Sequence, residues 1–377
     1  MKRYGGLYNR LISFENLYWA GRKARAGKRS KISCAAFEMN IEEELTDLQV
    51  ELKEKTYTPG PYREFTIYER KPRKISAAPY RDRVVHHALC RVIEPIFENS
   101  FIHDSYACRP GKGTHAAVNR FAEFARQYRF VLKTDIRKYF PSIDHAILFE
   151  KIVRKIKCQD TLWLIHLIIE KSNTQENISE YFPGDDLFEP HRRRRGIPIG
   201  NLTSQFFANI YLNDLDHFIK ERLHCQGYIR YVDDLTIFDN DKGRLWEIAV
   251  QLSDFLCRER LMLHPKKTIV APISEGIDHL GYRIFPTHRR LRKDNIFRFV
   301  RKLKLLQTGY RAGKLSLKEI DATVQSWIGH SAHADTYSLR HSILGRHPFR
   351  TMRIPCDGRG DKEKLPVAGI VQLLDII

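Results

Sequence analysis

The chain has 377 residues, of which 42% are hydrophobic and 11% aromatic, a composition that supports buried cores and excludes a globally disordered protein. A chain of this length usually organises more than one hydrophobic core, so we expect two or three subdomains. Lys and Arg outnumber Asp and Glu by 64 to 45, a formal net charge of +19. This surplus favours an anionic partner such as nucleic acid, with a soluble basic protein that has no such partner as the alternative.

Neither the cysteines nor the apolar segments indicate secretion or a membrane. The seven cysteines are scattered, with no C-x-x-C pair and no zinc-ligand spacing among the Cys and His residues. The first residues lack a sustained apolar run followed by a small-residue cleavage site. No stretch approaches the roughly 20 apolar residues that span a bilayer. The sequence therefore predicts a cytoplasmic protein with no membrane partner.

Residues 1–60 are predicted to form a basic helical N-terminal extension. The segment 2–31 carries nine Lys or Arg against the single acid Glu15, with apolar residues at helical spacing. It predicts one amphipathic helix that runs into a loop rich in Gly, Lys and Arg. A second helix is predicted over 41–55, and a Pro/Gly turn signal at 57–61 ends it.

Residues 61–290 are predicted to form an α+β region. An extended stretch over 63–80 precedes a helix predicted over 82–97, which the pair Glu94-Pro95 bounds. Farther along, short apolar strands alternate with helical segments. The strands lie within FVLKTDI, YIRYVDDLTIF and HLGYRIF, and the helices within 145–157, 161–171, 203–223 and 244–261. This pattern indicates an α+β fold with a small, largely antiparallel sheet.

The region after the predicted sheet is helical and basic. Residues 291–350 are predicted to form a separate helical subdomain. Nine Lys or Arg fall within 283–304, where Asp294 is the only acid. Such a face favours contacts with the phosphate backbone of a duplex. Residues 351–377 begin polar and end apolar, and no role is predicted for this C-terminal tail.

The most specific signal is the segment RYVDDLTIF. Strand-like residues flank Val232-Asp233-Asp234, which places both acids in or beside a tight hairpin turn. Adjacent carboxylates repel each other, and Mg²⁺ offsets such repulsion because it favours carboxylate oxygens. Asp135 ends the apolar strand FVLKTDI, and three carboxylates on neighbouring strand ends can hold two metal ions for in-line phosphoryl transfer. We therefore predict Asp135, Asp233 and Asp234 as catalytic residues with two Mg²⁺ ions in the active site.

A solvated turn is the alternative for any adjacent pair of acids. The pair Asp185-Asp186 illustrates it, because it lies in the Gly/Pro-containing piece YFPGDDLFEP without flanking strands. We predict that this pair lies in a surface loop. The strand context of Asp233 and Asp234, together with Asp135, favours the metal site for those three acids.

Several motifs, in order over residues 65–345, resemble those of reverse transcriptases. Tyr231-Val232-Asp233-Asp234 resembles the family's Tyr-x-Asp-Asp motif, and KTDIRKYFPSIDH resembles its first catalytic-aspartate motif. GIPIGNLTSQ, at 196–205, resembles the motif that packs on the template and the incoming nucleotide. KPRKISAAPYRDR and SYACRPGKGTHAA resemble the fingers motifs, and LHPKKT and HLGYRIF resemble the motifs that close the palm. The resemblance implies a right-hand polymerase fold of fingers, a palm with a small antiparallel sheet, and a helical thumb.

The resemblance also implies roles for further residues. The expected metal ligands are Asp135, Ile136, Asp233 and Asp234. The residues expected to bind the nucleotide are Arg73, Lys74, Phe140, Ile199, Gly200, Gln205 and Lys267. The residues expected to bind nucleic acid are Arg109, Lys112, Arg192, Arg193, Arg194 and Arg195.

Each of these roles has a plainer alternative. The Phe140 ring is expected to exclude a 2′-hydroxyl, and the alternative is ordinary packing. Arg73 or Lys74 is expected to clamp the triphosphate, and the alternative is a general nucleic-acid contact. Lys267 is expected near the leaving phosphates, and the alternative is a solvated lysine. For the arginine run at 192–195 the alternative is a solvated patch.

Three differences from other reverse transcriptases indicate which branch of the family this sequence resembles. Ile199-Gly200 and Ser204-Gln205 stand where group II intron and retron enzymes usually carry Gln-Gly and Ser-Pro. This pattern, with SWIGHSAHADTY in the thumb, resembles the reverse transcriptases of diversity-generating retroelements. No appended RNase H or endonuclease domain is expected. The resemblance implies an enzyme that copies a template-repeat RNA with errors at adenines and works with a small basic accessory protein. The implied partners are the template RNA, the RNA/cDNA duplex and dNTPs.

Two alternatives stay open. The first is another bacterial reverse transcriptase, of a retron, group II-like or defence-associated kind, which gene neighbours would distinguish. The second, from another class, is a non-catalytic RNA-binding scaffold that keeps the fold. The presence of Asp135, Asp233, Asp234 and Phe140 favours catalysis over that scaffold.

Overall fold

The computed structural model describes residues 2–68, 72–172 and 180–349. The C-terminal tail at 351–377 therefore lies outside the described residues. Contacts divide the chain into two compact units. The first comprises Met1–Ala117 and Phe130–Val270, and the second comprises Val118–Arg129 and Ala271–Ile377. The predicted domain boundaries after residues 60, 290 and 350 stay predictions.

The N-terminal part of the first unit is helical. Its helices are α1 Tyr8–Leu11, α2 Phe14–Ala24, α3 Ile32–Met39 and α4 Ile41–Glu54. The prediction of one basic helix within 2–31 is wrong, because the chain starts a new helix at Ser13. The Ser13 hydroxyl accepts a hydrogen bond from the backbone N–H of Asn16 and caps the start of α2. The helix predicted over 41–55 is confirmed as α4.

An antiparallel hairpin and a long helix follow. They are β1 Arg63–Tyr68, β2 Pro72–Ala77 and α5 Tyr80–Glu98. The helix predicted over 82–97 is confirmed as α5, but Glu94-Pro95 does not bound it, because α5 continues past Pro95 to Glu98. Phe97 lies beyond the proline and is 2% exposed. Its burial in the core outweighs the backbone hydrogen bond that a proline removes from a helix.

A four-stranded sheet and the helices around it complete the first unit. The elements in chain order are α6 Thr114–Gln127, most of which belongs to the second unit, β3 Phe130–Asp135, α7 Tyr139–Ser142, α8 His145–Val153, α9 Gln159–Glu170, α10 Glu189–Arg192, α11 Leu202–Tyr211, α12 Asn213–His217, a π-helical turn Phe218–Arg222, β4 Gly227–Tyr231, β5 Asp234–Asp239, α13 Lys242–Arg258 and β6 Ile269–Pro272, which begins in the first unit and ends in the second. The strand order is β4-β5-β3-β6, and β5 pairs antiparallel with both β4 and β3. The α+β prediction and the small antiparallel sheet are confirmed.

The core of the first unit explains why its strands are apolar on both faces. Leu132 of β3 and Ile237 of β5 are buried on one face, and Val131 and Phe238 are buried on the other. Helix α13 packs against β3 and β5. A strand covered on both faces has no polar face to present to water, so its sequence is mostly apolar and does not alternate. The carboxylates at the strand ends interrupt that apolar pattern.

The second unit contains a three-stranded sheet and helices. Its elements after residue 270 are β7 Ile277–His279, β8 Tyr282–Ile284, β9 Arg289–Leu291, α14 Lys293–Arg311, α15 Leu317–Ser331 and α16 Tyr337–Arg346. Phe299 and Trp327 stack with ring centroids 3.8 Å apart and join α14 to α15. The predicted helical content after residue 290 is confirmed. Within the described residues, no helix combines the length and the apolar content needed to cross a membrane.

Candidate active site

Strands β4 and β5 form a hairpin whose two-residue loop is Val232-Asp233. Tyr231 and Asp234 are the last pair of its ladder. Val232 has a φ of 57°, and a positive φ in a two-residue loop gives the twist that hairpins prefer. A β-branched residue at such an angle costs about 1–3 kcal/mol, so neighbouring contacts must hold this turn. The predicted hairpin turn at Asp233 and Asp234 is confirmed.

Asp135 lies directly across the sheet from Asp234. The register of β3 against β5 pairs these two residues. The Cβ atoms of directly opposed residues in an antiparallel ladder are about 4.5–5.5 Å apart. The backbone N–H of Ile136 donates to the carbonyl oxygen of Asp233 at 3.2 Å. The three predicted acids are therefore brought together at one end of the sheet, with Ile136 beside them.

Two lysines contact these carboxylates. Nζ of Lys267 is 2.7 Å from Oδ2 of Asp135, and Nζ of Lys133 is 3.3 Å from Oδ2 of Asp234. The structure thus places Lys267 at the predicted site. Sequence reasoning missed Lys133. It precedes Asp135 by two residues on the same strand, and the period of two, which puts both side chains on one face, is the signal that would have found it.

Burial and mutual repulsion act on the acids of this turn. Burial, followed by the charge of Asp135, raises the pKa of Asp233 to about 6. Burial also raises the pKa of Asp234, and the charge of Lys133 opposes that shift. Both raised pKa values indicate that the ionised forms of Asp233 and Asp234 are unfavourable here unless cations offset their charge.

The donor chemistry of this site fits divalent metal ions. Three carboxylates supply the hard oxygen ligands that Mg²⁺ prefers. Oδ1 of Asp234 is buried and has no hydrogen-bond partner, so it is an acceptor that still lacks a cation or donor. Within 2–68, 72–172 and 180–349, no group of three or more His, Cys, Asp or Glu side chains converges closely enough to hold a metal ion as it stands. Metal binding would exchange the lysine contacts of Asp135 and Asp234 for metal contacts.

A buried ion pair between Arg230 and Asp216 stabilises the Val232-Asp233 turn. The side chains of Arg230 and Asp216 are fully buried, with Nη2 of Arg230 2.7 Å from Oδ2 of Asp216. Nη1 of Arg230 donates to the carbonyl of Val232 at 3.2 Å and to Oδ1 of Asn209 at 3.0 Å. Sequence reasoning missed this pair. The available signal was the lone arginine inside the apolar strand YIRYV, because a buried guanidinium requires a partner.

Phe140 lies in α7, five residues after Asp135. Its ring is half-buried and packs edge to face on Tyr139, with centroids 5.7 Å apart. Its carbonyl oxygen accepts a hydrogen bond from the backbone N–H of Ile197 at 3.0 Å. The backbone of Phe140 is thus fixed to the segment 196–205, while part of its ring stays exposed.

Arg73 and Lys74 lie on opposite faces of β2, because successive side chains of a strand alternate. Nζ of Lys74 is 2.7 Å from Oε2 of Glu64 on the neighbouring strand. Arg73 instead shares its face with Ile75. The two residues therefore cannot act as one clamp, and Arg73 is the one on the face that approaches the segment 196–205.

The contact between β2 and that segment centres on Gly200. A Cβ atom added at Gly200 would lie 2.7 Å from Cγ2 of Ile75, and the φ of Gly200 is 115°. The backbone N–H of Ser76 donates to the carbonyl of Ile199 at 3.0 Å, and Nδ2 of Asn201 donates to the carbonyl of Ser76 at 2.9 Å. Only glycine fits here, since a side chain would meet both steric overlap and backbone strain. Farther along, Gln205 is exposed at the start of α11.

The arginine run at 192–195 divides into buried and exposed members. The side chain of Arg193 is 3% exposed and pairs with Asp185, which is 4% exposed. Nε of Arg193 is also 3.4 Å from Oδ2 of Asp144, which caps α8. The predicted surface position is confirmed for Asp186, which is exposed, but it is wrong for Asp185, which neutralises a buried arginine. For the same reason Arg193 is not available to RNA.

The other three arginines differ from Arg193. Arg192 is exposed and lies over the ring of Phe188. The side chain of Arg194 is 59% exposed, and its Nη2 donates to the carbonyl of Glu170. Arg195 is half-buried, and burial, followed by the charge of Arg193, lowers its pKa. Arg192 and Arg194 are the members of the run that face solvent.

Arg109 and Lys112 lie in the loop that precedes α6. The side chain of Arg109 is 6% exposed, pairs with Glu98 at 2.7 Å and donates to the carbonyls of Ile102 and Ser105. The expectation that Arg109 contacts nucleic acid is therefore corrected, because its guanidinium is used inside the protein. Lys112 is half-buried, with Nζ 5.1 Å from the centroid of the Tyr106 ring.

The α+β fold, with adjacent acids at a hairpin and a third acid on the neighbouring strand, defines a polymerase-like class of protein. A family model described as "Reverse transcriptase (RNA-dependent DNA polymerase)" matches residues 60–284. The chain therefore belongs to the reverse transcriptase family. The mixed helix and antiparallel-sheet content fits the predicted right-hand polymerase fold. Members of this family generally use divalent metal ions.

Group II intron proteins are among the curated relatives. The chain is 29% identical over 181 residues to the group II intron-encoded protein LtrA of Lactococcus lactis subsp. cremoris. This alignment covers 47% of this chain and 28% of LtrA. The chain is 24% identical over 287 residues to protein YkfC of Escherichia coli, covering 66% of this chain and 72% of YkfC. The chain thus spans less than a third of the length of LtrA. An apo telomerase from Candida tropicalis aligns with a TM-score of 0.46 at 13% identity, over 64% of this chain and 58% of that chain, and this likeness supports no further inference.

Proposed function

We propose that this chain is an RNA-directed DNA polymerase whose catalytic centre contains Asp135, Asp233 and Asp234. The observation that carries the proposal is the register pair Asp135–Asp234 beside the Val232-Asp233 turn, in a chain of the reverse transcriptase family. The raised pKa of Asp233 supports it, because clustered acids at a strand end are costly in a protein that has no use for them.

The proposed reaction is nucleotidyl transfer. The primer 3′-oxygen bonds to the α-phosphorus of a dNTP, the bond to the β-phosphate breaks, and pyrophosphate and a proton are released. Two Mg²⁺ ions, when bound, lower the pKa of the 3′-hydroxyl and offset the charge of the triphosphate. In this proposal Asp135, Asp233 and Asp234 are the side-chain ligands, and the backbone of Ile136 lies beside them.

Other residues would bind the substrate. The exposed part of the Phe140 ring would exclude a 2′-hydroxyl, and Arg73 would meet the triphosphate from the β1–β2 hairpin. The segment with Ile199, Gly200 and Gln205 would line the nucleotide site. Lys267 contacts Asp135 at 2.7 Å and would exchange this contact for the phosphates once metal binds.

Primer extension on an RNA template tests the proposal. Asp135→Asn and Asp233→Asn should each abolish extension while RNA binding stays near wild type, because a lost carboxylate removes a metal ligand. Each 1.4 kcal/mol of lost transition-state stabilisation lowers the rate about tenfold. Asp254→Asn, an exposed acid on α13, is the matched control and should stay active. Near-normal extension by either site variant would refute the assignment.

We further propose that the template is a template-repeat RNA and that the cDNA carries errors at adenines, as in a diversity-generating retroelement. The support is the pattern Ile199-Gly200 and Ser204-Gln205. Isoleucine cannot donate the hydrogen bond that a glutamine amide offers, and such a bond contributes about 0.5–1.5 kcal/mol, which corresponds to roughly a two- to tenfold change in discrimination. The partner of this enzyme would be a small basic accessory protein.

The second candidate is a group II intron-type reverse transcriptase, which the similarity to LtrA favours. Sequencing the cDNA made from one adenine-rich RNA template distinguishes the two. Errors concentrated opposite template adenines support the retroelement function, and a uniform low error rate supports the intron-type enzyme. A non-catalytic RNA-binding scaffold would show RNA binding with no extension under any divalent metal.

A further inference from the structure

A small cavity beside Gly200 is lined by two cations and two histidines. Its volume is about 150 Å³, and Lys28, Arg83, His86 and His87 contribute to its wall. Among the described residues that line it there is no Asp or Glu. Lys28 and Arg83 repel each other and have no acid in this wall to offset their charge, so this composition favours an anion in the cavity.

His86 and Asn201 are the buried polar residues among those that line this cavity, and His86 is the one with an unpartnered ring nitrogen. It lies on α5 and is 3% exposed, and its Nδ1 atom is buried without a hydrogen-bond partner. A buried imidazole nitrogen without a partner is costly, so a ligand that forms a hydrogen bond with it would be favoured. Burial, followed by the charges of His87 and Arg83, lowers the pKa of His86 to about 3. The ring is therefore neutral at pH 7 and can donate one N–H to an oxyanion.

The charges of the cavity come from Lys28 and Arg83. Nε of Arg83 donates to the carbonyl of Ala78 at 2.8 Å, which fixes the orientation of the guanidinium. Burial, followed by the charge of Arg83, lowers the pKa of Lys28, so the two cations act on each other. The pKa of His87 is lowered to about 4 by burial and then by Lys28. The pKa values of Lys28, His86 and His87 are all lowered, and an anion in the cavity would raise all three.

We infer that this cavity binds one phosphate group, with Lys28 and Arg83 as the charged partners and His86 as an N–H donor. Guanidinium and ammonium groups both suit phosphate oxygens, the first by a fixed fork and the second as a point charge. A volume of about 150 Å³ accepts a tetrahedral oxyanion with water. The phosphate comes either from the backbone of a nucleic-acid strand or from a free phosphate. The choice of a strand rests on the proposed function, whereas the phosphate site itself does not.

Thermal unfolding tests the site without any need for polymerisation. The full-length protein, Lys28→Gln and Lys31→Gln are compared in inorganic phosphate and in chloride at equal ionic strength. Lys31 is an exposed lysine three positions away that does not line the cavity, so it controls for the removed charge. Phosphate stabilises proteins in general, so the result is the difference between the two variants.

We expect phosphate to raise the unfolding midpoint of the wild type and of Lys31→Gln by about 1–3 °C more than that of Lys28→Gln. Equal phosphate shifts in all three proteins would overturn the inference. His86→Leu removes the donor without changing the charge at pH 7, and should also reduce the shift. This second variant keeps the test informative if the loss of Lys28 changes the local fold.

Binding of a short single-stranded RNA then identifies the source of the phosphate. Removing the interaction with one backbone phosphate lowers the slope of log affinity against log salt by about 0.7. A slope reduced by that amount in Lys28→Gln, relative to the wild type, assigns the cavity to a strand. If Lys28→Gln keeps the wild-type salt slope but still shows the smaller phosphate-dependent shift of the unfolding midpoint, the cavity binds free phosphate. If the wild-type protein does not extend primers but still shows the phosphate-dependent shift of the unfolding midpoint, the polymerase proposal is refuted and the phosphate site is not.

Discussion

The fully buried guanidinium of Arg230 joins the carboxylate of Asp216 to the carbonyl oxygen of Val232. It therefore supports the turn in which Asp233 lies. Removing one member of a buried ion pair costs about 3–5 kcal/mol, because the remaining charge is left without a partner. Arg230→Met should lower the free energy of unfolding by about that amount, measured by denaturant titration.

The separate effect of Arg230 on catalysis requires a variant that keeps its charge. Arg230→Lys preserves the positive charge but cannot reach Asp216, Asn209 and Val232 together. We expect it to retain more stability than Arg230→Met, yet to extend primers about two- to tenfold more slowly because the hydrogen bond to Val232 is absent. RNA affinity should not change. Wild-type extension by Arg230→Lys would show that Arg230 serves stability alone.

Phe140 offers a second prediction at the scale of one residue. Its carbonyl holds Ile197, so a change of side chain leaves that hydrogen bond in place. Phe140→Ala should therefore admit NTPs through loss of a steric barrier, with a gain in NTP use of about tenfold or more, the equivalent of about 1.4 kcal/mol. Competition between dATP and ATP on one RNA template measures the change.

The control for this experiment is Phe140→Leu, which keeps most of the bulk and should keep most of the discrimination. If Phe140→Ala discriminates as well as the wild type, then the ring contributes only to packing against Tyr139.

Single residues also show where sequence reasoning succeeds and where it stops. The acids of RYVDDLTIF were found because two strand-like segments that flank adjacent carboxylates form a local pattern in the sequence. Lys133 and Arg230 were missed because a local pattern does not reveal which charge a buried side chain meets in the folded protein. Arg193 was assigned to RNA for the same reason, since its partners Asp144 and Asp185 are brought to it by the fold.

At the scale of elements, the arginine run at 192–195, which begins at the last residue of α10, yields a prediction that separates stability from binding. Arg192→Ser combined with Arg194→Ser should weaken RNA binding and lower its salt slope by about 0.7–0.9 for each phosphate that the protein no longer neutralises. Arg193→Ser should leave the salt slope near that of the folded wild type. It should instead lower the free energy of unfolding by about 3–5 kcal/mol, because Asp185 loses its buried partner.

The same charge is removed at each position of this segment, so each variant serves as a control for the others. Filter binding across a salt series and denaturant titration are both required. A salt slope that falls equally for Arg193→Ser and for the exposed pair would contradict the division of the run.

Element boundaries were less predictable than element types. Periodicity located α4, α13 and the strands of the sheet, because a repeat over many residues survives local exceptions. The break at Ser13 depends on one hydrogen bond, and the continuation past Pro95 depends on the burial of Phe97. The link between β2 and Gly200 involves residues more than 100 positions apart, and no local pattern predicts it.

At the scale of the whole molecule, charge is distributed unevenly. The chain carries a net charge of +19, yet its proposed catalytic centre gathers three acids. Ionisation of Asp233 is opposed in the folded protein, where its pKa is raised from 3.8 to about 6. The folded state therefore keeps this proton at a pH where the unfolded chain has released it. The contribution of this group to stability falls as the pH rises through the interval between the two values.

A divalent metal ion should restore that stability, because it binds the ionised carboxylates of the folded state and competes with their protons. We expect Mg²⁺ in place of EDTA to raise the unfolding midpoint by about 1–3 °C at a pH about 1.5 units above the pKa of Asp233, with little effect at a pH about one unit below it. Differential scanning fluorimetry at constant ionic strength measures both conditions. Asp233→Asn should lose most of the Mg²⁺ shift, whereas Asp254→Asn, which removes the same charge from the exposed face of α13, should keep it. A Mg²⁺ shift that is equal in both variants, or that is independent of pH, would place the metal ion somewhere other than the Asp135–Asp234 pair.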